Sequence, residues 1–153
     1  LNRNALEARA NELEQQSALT GQPVAVIVCD FDNFKEINDS VGHAVGDAVL
    51  KDAAYIMRKR LRAFDLAYRL GGDEFLILLP GSGLPEAEEL ARELSVAVAA
   101  EAVGGVLRVT LSFGVGASEH GERFDYRETF LKADEALYEA KRRVGEGLIV
   151  AGQ

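Results

Sequence analysis

The stretch Ala67–Pro80, AYRLGGDEFLILLP, contains two apolar segments joined by Gly71 and Gly72. A two-residue hairpin loop favours backbone with positive φ, which glycine adopts without a Cβ clash. The pattern therefore predicts a tight antiparallel hairpin with both glycines in its loop. Asp73 and Glu74 follow at once, so two adjacent carboxylates are expected at one end of a core strand. Such a pair points to chemistry in addition to folding.

The composition sets limits on the kind of protein. The chain has 153 residues, 48% hydrophobic and 27% charged, which predicts one globular domain. A net charge of -8 disfavours a nucleic acid polymer as partner. No window approaches the roughly 18 apolar residues of a membrane span, and no signal peptide is evident. We therefore expect a cytoplasmic domain, or the cytoplasmic portion of a larger signalling protein, without direct membrane contact. The single cysteine, Cys29, excludes an internal disulfide.

The hydrophobic pattern predicts an order of helix, strand, two helices, hairpin, helix, strand, helix and strand. Residues 1–19 are expected to form an N-terminal helix that continues from a missing upstream region. VAVIVCD, residues 24–30, is predicted to be a central strand. A later helix is predicted to carry one apolar stripe from Leu50 to Phe64. The fold class is α/β, a single-domain α/β sandwich with a central, mostly antiparallel sheet flanked by helices.

Carboxylates are expected to gather at one edge of this sheet. Asp30 and Asp32 end the first strand and project to the same side. If that strand pairs with the hairpin, Asp73 and Glu74 reach the same edge, and the cluster needs a cation or a shared proton. Oxygen ligands favour Mg²⁺ or Mn²⁺ over zinc, with nucleotide phosphates completing the shell. The alternative for each motif alone is a helix cap and an ordinary solvated turn.

Three segments carry a resemblance to a known family. RLGGDEF (69–75), DFDNFKEINDSVGHAVGD (30–47) and ADEALYEAK (133–141) resemble the GGDEF domain family, the diguanylate cyclases. The resemblance implies that residues 1–153 form one such domain. It implies a fold similar to polymerase palms and nucleotidyl cyclases, and condensation of two GTP into cyclic di-GMP with release of two pyrophosphates.

The same resemblance implies the metal and catalytic residues. Asp30, Asp73 and the main-chain carbonyl of Phe31 would hold Mg²⁺ or Mn²⁺, two ions per active site. The cations would assist attack of a 3′-hydroxyl on an α-phosphate. Asp73 and Glu74 are the expected catalytic residues, with Glu74 acting as ligand or as base. Asp32 also matches the motif, with a less defined role.

The resemblance further implies how the nucleotide is held. Asn38 and Asp47 would read guanine, since an amide can face the ring carbonyl while a carboxylate accepts from N1-H and the exocyclic amine. The alternative for both is capping of helices and loops. The remaining expected substrate contacts are two phosphate-binding lysines and the glycine pair: Lys35, Lys141, Gly71 and Gly72.

Two further expectations concern partners. Two facing GTP molecules require a homodimer, at least transiently. RAFD, Arg62 to Asp65, resembles the family's RxxD site for inhibition by cyclic di-GMP. Arg92 is the expected third member of that site, although it stands one position before the expected place, which Glu93 occupies.

The sequence departs from the family near its end. The segment AKRRVGEG (140–147) has one extra residue, with Glu146 where an arginine is expected, so Arg142 or Arg143 would have to substitute. An alternative function is therefore a weak or silent domain that acts as a receptor for GTP or cyclic di-GMP. A third possibility is a cyclase that makes a monomeric cyclic nucleotide.

Overall fold

The computed structural model describes residues 3–101, 108–143 and 150–151. The elements follow the predicted order, with five helices and five strands in these ranges: α1 Arg3–Thr20, β1 Val24–Phe31, α2 Phe34–Val41, α3 His43–Arg58, β2 Leu66–Gly71, β3 Glu74–Pro80, α4 Leu84–Ala100, β4 Leu111–Ala117, α5 Tyr126–Lys141 and β5 Val150–Ala151.

The strands form one sheet in the order β2-β3-β1-β4-β5. The pairs β2/β3, β3/β1 and β1/β4 are antiparallel, whereas β5 runs parallel to β4. Strand β1 is central, and its residues 24–29 are fully buried because both faces of the sheet are covered. The predicted α/β sandwich with a mostly antiparallel central sheet is confirmed.

The side chains of β1 alternate between two hydrophobic cores. Ala25, Ile27 and Cys29 face the core that includes α3 and α4, whereas Val26 and Val28 face the core that includes α1 and α5. This division follows from the two-residue period of a strand. It explains why the sequence of β1 is continuously apolar until Asp30.

The predicted stripe from Leu50 to Phe64 is too long. Helix α3 ends at Arg58, and the Phe64 side chain is 51% exposed. The Asp65 carboxylate accepts a hydrogen bond from the Arg62 backbone N–H at 2.9 Å and so stabilises a turn in this segment. The chain therefore leaves the helical path before it reaches Phe64.

The hairpin is tight and antiparallel, but its loop differs from the prediction. Gly71 pairs with Glu74, so the loop consists of Gly72 and Asp73. Neither glycine has φ in the left-handed region. A register shift between Arg69 and Gly71 inserts an extra residue in β2, and such a bulge supplies the twist that the predicted turn would have provided.

Two predicted strands fall partly outside the described residues. The strand expected at 106–115 is seen as β4 from Leu111, and residues 102–107 lie outside the description. The last strand, expected at 147–152, is described only at Val150–Ala151. None of the helices in the described ranges combines the length and apolar character needed to cross a bilayer.

Gly114 in β4 provides a test of the packing between the sheet and α5. A Cβ at Gly114 would lie 2.0 Å from the Ala133 carbonyl oxygen and 2.3 Å from the Leu137 nitrogen. Because the obstacles are backbone atoms, Gly114→Ala should destabilise the protein by about 3 kcal/mol in denaturant unfolding. Gly72→Ala is the matched control, since no atom lies within 4 Å of its Cβ position. A shift of at most about 0.5 kcal/mol is expected there, and equal shifts for both variants would contradict this packing.

Candidate active site

The pairing of β1 with β3 brings together two segments that are distant in sequence. Asp30, near the end of β1, is the direct register partner of Glu74, the first residue of β3. Asp73 stands next to Glu74 in the hairpin loop. The convergence expected from the sequence is therefore present, and it is a direct result of strand register.

The environment of Asp30 and Glu74 favours their protonated forms. The pKa of Asp30 is raised mainly by burial, with Asp73 and Asp32 adding repulsion and Lys141 opposing the shift. Burial also raises the pKa of Glu74, followed by repulsion from Asp30, Asp134 and Asp73. Placing these carboxylates together opposes the stability of the metal-free fold.

Lys141, the last residue of α5, supplies a cation to this acidic edge. Its ammonium contacts the Asp30 carboxylate and donates hydrogen bonds to the Phe31 carbonyl at 2.8 Å and to Asp32 at 2.9 Å. Burial alone would lower the pKa of Lys141, but hydrogen bonds to Asp30 and Asp32 outweigh burial and raise the pKa. Lys141 is therefore held as a cation among these oxygens.

Asp32 faces β4 as well as the acidic edge. Its carboxylate accepts hydrogen bonds of 2.6 Å from both the Thr110 and Ser112 hydroxyls, in addition to the bond from Lys141. Its backbone N–H donates to the Thr110 carbonyl at 2.9 Å. Three side-chain donors on a buried carboxylate leave Asp32 less available than Asp30 to a new ligand. Sequence reasoning missed Thr110 and Ser112, although they lie at alternate positions of an otherwise apolar strand.

The oxygens at the end of β1 suit a hard divalent cation. Asp30 Oδ1 is buried and, apart from the Lys141 ammonium, has no hydrogen-bond partner among the described residues. The Phe31 carbonyl faces the same ammonium. Within the described ranges no three acidic, histidine or cysteine side chains converge tightly enough to bind an ion alone. Mg²⁺ commonly uses one or two carboxylates and takes its other ligands from water and phosphate, so the donor set fits.

Arg69 holds the tip of the hairpin. Its guanidinium donates two hydrogen bonds to the Gly72 carbonyl, at 2.9 Å from Nε and 2.6 Å from Nη2. These bonds restrain the peptide that precedes Asp73. No atom lies within 4 Å of a Cβ placed on Gly71 or Gly72, so the open backbone leaves space for a ligand. Sequence reasoning gave Arg69 no role of its own at the hairpin tip.

The residues predicted to read guanine lie on adjacent helices. Gly42, at φ 88°, joins α2, which carries Asn38, to α3, which carries Asp47. The Asn38 amide lies against Gly46, where a Cβ would stand 1.8 Å from Asn38 Oδ1. That oxygen is buried and has no hydrogen-bond partner among the described residues, whereas Asp47 is exposed. Sequence reasoning also missed Gly46 and its contact with Asn38.

Lys35 lies in the first turn of α2 and is exposed. Asn33, with φ 58°, makes the sharp turn between β1 and α2 that places Lys35 shortly after the acidic edge. Asparagine tolerates this left-handed conformation better than most residues. The placement is compatible with a contact to an anionic ligand.

Arg62 of the RxxD motif is strongly anchored. Its guanidinium donates to both carboxylate oxygens of Asp65, at 3.0 and 2.9 Å, and to Pro80 and Ser82 at 3.0 and 2.9 Å. The Asp65 side chain is buried, whereas Arg62 is half exposed and lies over the Phe64 ring. A charged, exposed guanidinium beside an aromatic ring is suited to a planar anionic ligand.

Arg92 has a different partner. Its guanidinium pairs with Glu88, one turn away on α4, at 3.5 Å, and it lines a shallow concavity with Arg60 and Glu93. The Arg142 and Arg143 side chains both pair with Glu139, at 3.3 and 3.6 Å. Glu146, which occupies the expected arginine position, lies outside the described residues.

Comparison with known proteins agrees with this geometry. Residues 1–146 match the family described as "Diguanylate cyclase, GGDEF domain". The chain is 40% identical over 153 residues to the diguanylate cyclase DgcP of Pseudomonas aeruginosa, covering 98% of this chain and 22% of that protein. It is 38% identical to the response regulator PleD of Caulobacter vibrioides, covering 92% and 32%. The chain thus spans about a fifth to a third of the length of these relatives.

Solved structures show the same fold. The active GGEEF domain of a diguanylate cyclase from Vibrio cholerae has a TM-score of 0.90 and 31% identity, with 99% of this chain and 97% of that chain covered. The GGDEF domain of DgcB from Caulobacter crescentus, in complex with c-di-GMP, has a TM-score of 0.86 and 26% identity, with 98% and 87% covered. The chain belongs to the GGDEF domain family of diguanylate cyclases.

The raised pKa of Glu74 predicts a pH dependence of stability in metal-free buffer. Because the pKa of Glu74 in the folded protein lies above its ordinary value of 4.5, folded Glu74 keeps its proton to a higher pH than unfolded Glu74. The free energy of unfolding therefore falls as the pH rises from 4.5 to the pKa of folded Glu74. Glu74→Gln removes that loss and should raise the thermal midpoint at pH 7 by roughly 1–3 °C, allowing for solvent screening. The gain should vanish below pH 4.5.

The control for this experiment is Glu135→Gln, which changes an exposed carboxylate on α5. It should move the midpoint by less than about 1 °C at either pH. An unchanged or lower midpoint for Glu74→Gln at pH 7 would show that burial of Glu74 carries no such cost.

Proposed function

We propose that this domain condenses two GTP molecules into cyclic di-GMP and releases two pyrophosphates. The observation that carries the proposal is the register pairing of Asp30 with Glu74, beside a carbonyl and carboxylates that already hold a cation. The family and the relatives named as diguanylate cyclases support the same activity. A net charge of -8 disfavours binding of the long, acidic product of a polymerase.

Asp30, Asp73 and the Phe31 carbonyl are the proposed holders of two Mg²⁺ or Mn²⁺ ions, with Glu74 as ligand or base. When bound, the ions would lower the pKa of the attacking hydroxyl and stabilise charge on the leaving pyrophosphate. The remaining steps depend on the protein's own groups.

Glu74 is suited to take a proton from the 3′-hydroxyl of GTP. Its raised pKa makes the carboxylate a stronger base than an exposed glutamate. The 3′-oxygen then forms a bond to the α-phosphorus of the second GTP, and the bond from that phosphorus to the pyrophosphate breaks. The same displacement in the opposite direction closes the ring and releases the second pyrophosphate.

The nucleotide is proposed to lie between the hairpin tip and the α2–α3 junction. Asn38 and Asp47 would read guanine, and the partnerless Asn38 Oδ1 supports a polar ligand there. Lys35 and Lys141 would contact phosphates. The backbone at Gly71 and Gly72, unobstructed by side chains, would allow close approach of the nucleotide.

The proposed working form is a homodimer, at least transient. Each domain would hold one GTP, and each 3′-oxygen must reach the α-phosphorus of the other nucleotide. A two-fold axis between the sites satisfies both attacks at once.

Replacement of Glu74 tests the activity. Glu74→Ala should lower the rate of cyclic di-GMP formation from GTP and Mg²⁺ at least about 100-fold, because the proposed base or ligand is lost. Chromatography of the reaction products measures the rate, and circular dichroism checks the fold. Glu119→Ala is the matched control, since this exposed glutamate lies at the opposite end of β1 and should leave the rate unchanged.

The same chromatogram separates the alternatives. Unchanged turnover in Glu74→Ala would reject the proposed site. A monomeric cyclic nucleotide would indicate a different cyclase, and binding of GTP without any cyclic product from the parent protein would indicate a receptor.

Product binding at the RxxD motif is a second proposal. Arg62, which is half exposed and fixed by Asp65, would bind a phosphate or a guanine face of cyclic di-GMP. Arg92 is the proposed third contact and would have to leave Glu88 to join it. The related DgcB domain, solved in complex with c-di-GMP, supports this proposal by similarity.

Gly46 tests guanine recognition separately from the metal site. In Gly46→Ala the new Cβ would strike the Asn38 amide, which is the end of a side chain and can move. Stability should therefore change by less than about 1 kcal/mol. The KM for GTP should rise at least about tenfold because Asn38 no longer meets the base.

A double-variant comparison is the control for this effect. Asn38→Ala should raise KM to the same degree, and the double variant should raise it no further, because both changes remove one contact. Additive effects on KM would contradict a role of Gly46 through Asn38.

A further inference from the structure

The Lys141 ammonium lies where a metal ion would be expected. It contacts the Asp30 carboxylate and the Phe31 carbonyl, the two groups proposed above as metal ligands. The Asp30 oxygen that meets the ammonium has no other hydrogen-bond partner among the described residues. The described structure therefore already has a cation at the end of β1, supplied by the chain itself.

An ammonium and a divalent ion compete for these oxygens. Mg²⁺ requires oxygen at about 2.0–2.1 Å in a near-octahedral shell, which leaves no room for N–H donors on the same lone pairs. The two positive charges would also repel each other at contact distance. Binding of one must therefore weaken the hold of the other.

Asp32 provides a position to which Lys141 can withdraw. Its carboxylate is fixed by the Thr110 and Ser112 hydroxyls, both on the β4 side, and accepts from Lys141 independently of Asp30. The ammonium can lose its contacts with Asp30 and Phe31 and still keep a charged partner. The hydrogen bond to Asp32 would keep Lys141 close to the site after a metal ion has replaced it at Asp30 and Phe31.

We propose that Lys141 is an internal counter-cation of the metal site: it holds Asp30 and the Phe31 carbonyl in the metal-free protein and leaves them when a divalent cation binds, while Asp32 retains it. Lys141 is thus a positioning residue that keeps the ligand oxygens in place before metal arrives. Its release also frees the ammonium for phosphate. The inference rests on the proposed metal site, and its test separates the two.

Removing the competitor should strengthen metal binding in the absence of nucleotide. Lys141→Met keeps an unbranched side chain, one atom shorter, and removes the charge. The Kd for Mn²⁺ should therefore fall about tenfold, because the metal no longer displaces charged hydrogen bonds. The measurement is titration of the nucleotide-free protein with Mn²⁺, following free Mn²⁺ by electron paramagnetic resonance. Circular dichroism checks that the variant is folded.

Arg142→Met is the matched control. Arg142 is the next residue, carries the same charge, is exposed and pairs with Glu139. Its removal should change the Kd for Mn²⁺ by less than about twofold, because an exposed charge is screened. If the Kd for Mn²⁺ fell equally in both variants, the loss of any nearby positive charge would explain the effect of Lys141, and the proposal would be overturned.

A second measurement follows Lys141 itself in the unaltered protein. The ¹⁵Nζ resonance of Lys141, assigned by its loss in Lys141→Met, should be observable in metal-free protein because three acceptors slow its exchange. Saturating Mg²⁺ should shift or broaden this resonance. An unchanged resonance at saturation would overturn the exchange.

Asp30→Asn identifies which idea fails. If this variant binds Mn²⁺ as tightly as the parent, the metal site is misplaced, and both the exchange and the proposed function fail. If Asp30→Asn weakens binding at least about tenfold while Lys141→Met does not tighten it, the exchange alone is wrong and the proposed function stands.

Discussion

The register of β1 against β3 is the constraint on which the site depends. Antiparallel pairing sets Asp30 opposite Glu74, and the tight hairpin then leaves Asp73 no position except beside them. A slip of one residue would turn Asp30 toward the other face of the sheet, together with every apolar side chain of β1. Because those side chains fill two cores, the hydrophobic packing that stabilises the fold also fixes the geometry of the acids.

This arrangement has an energetic cost that the protein offsets locally. Burial and mutual repulsion raise the pKa values of Asp30 and Glu74, so ionisation of either carboxylate is disfavoured in the metal-free fold. Lys141 supplies compensating charge from α5, and the hydroxyls of β4 satisfy Asp32. The close packing of α5 on Gly114 places that lysine at the edge of the sheet. Stability and the binding of cations are therefore coupled through one helix and one strand.

Most of the fold could be predicted because its signals are local. The continuous apolar run of β1 predicted a strand covered on both faces. At the start of α5, the Asp125 carboxylate caps the helix by accepting a hydrogen bond from the Glu128 N–H, three residues away. Two details were wrong for physical reasons. The stripe that seemed to continue to Phe64 ends where Asp65 stabilises a turn, and the glycine pair does not use positive φ because a bulge supplies the twist.

The sequence by itself determined the order of the elements and the family, because periodicity and the acidic motif are written along the chain. The roles proposed for Asp30, Asp73 and Glu74 come from that motif and agree with where the strands place them. Only the tertiary structure decided which cation lies among these oxygens, that Asp32 faces Thr110 and Ser112, and that Gly46 supports Asn38. These contacts join residues up to 110 positions apart, and side-chain direction across such separations is set by packing, which no local pattern encodes.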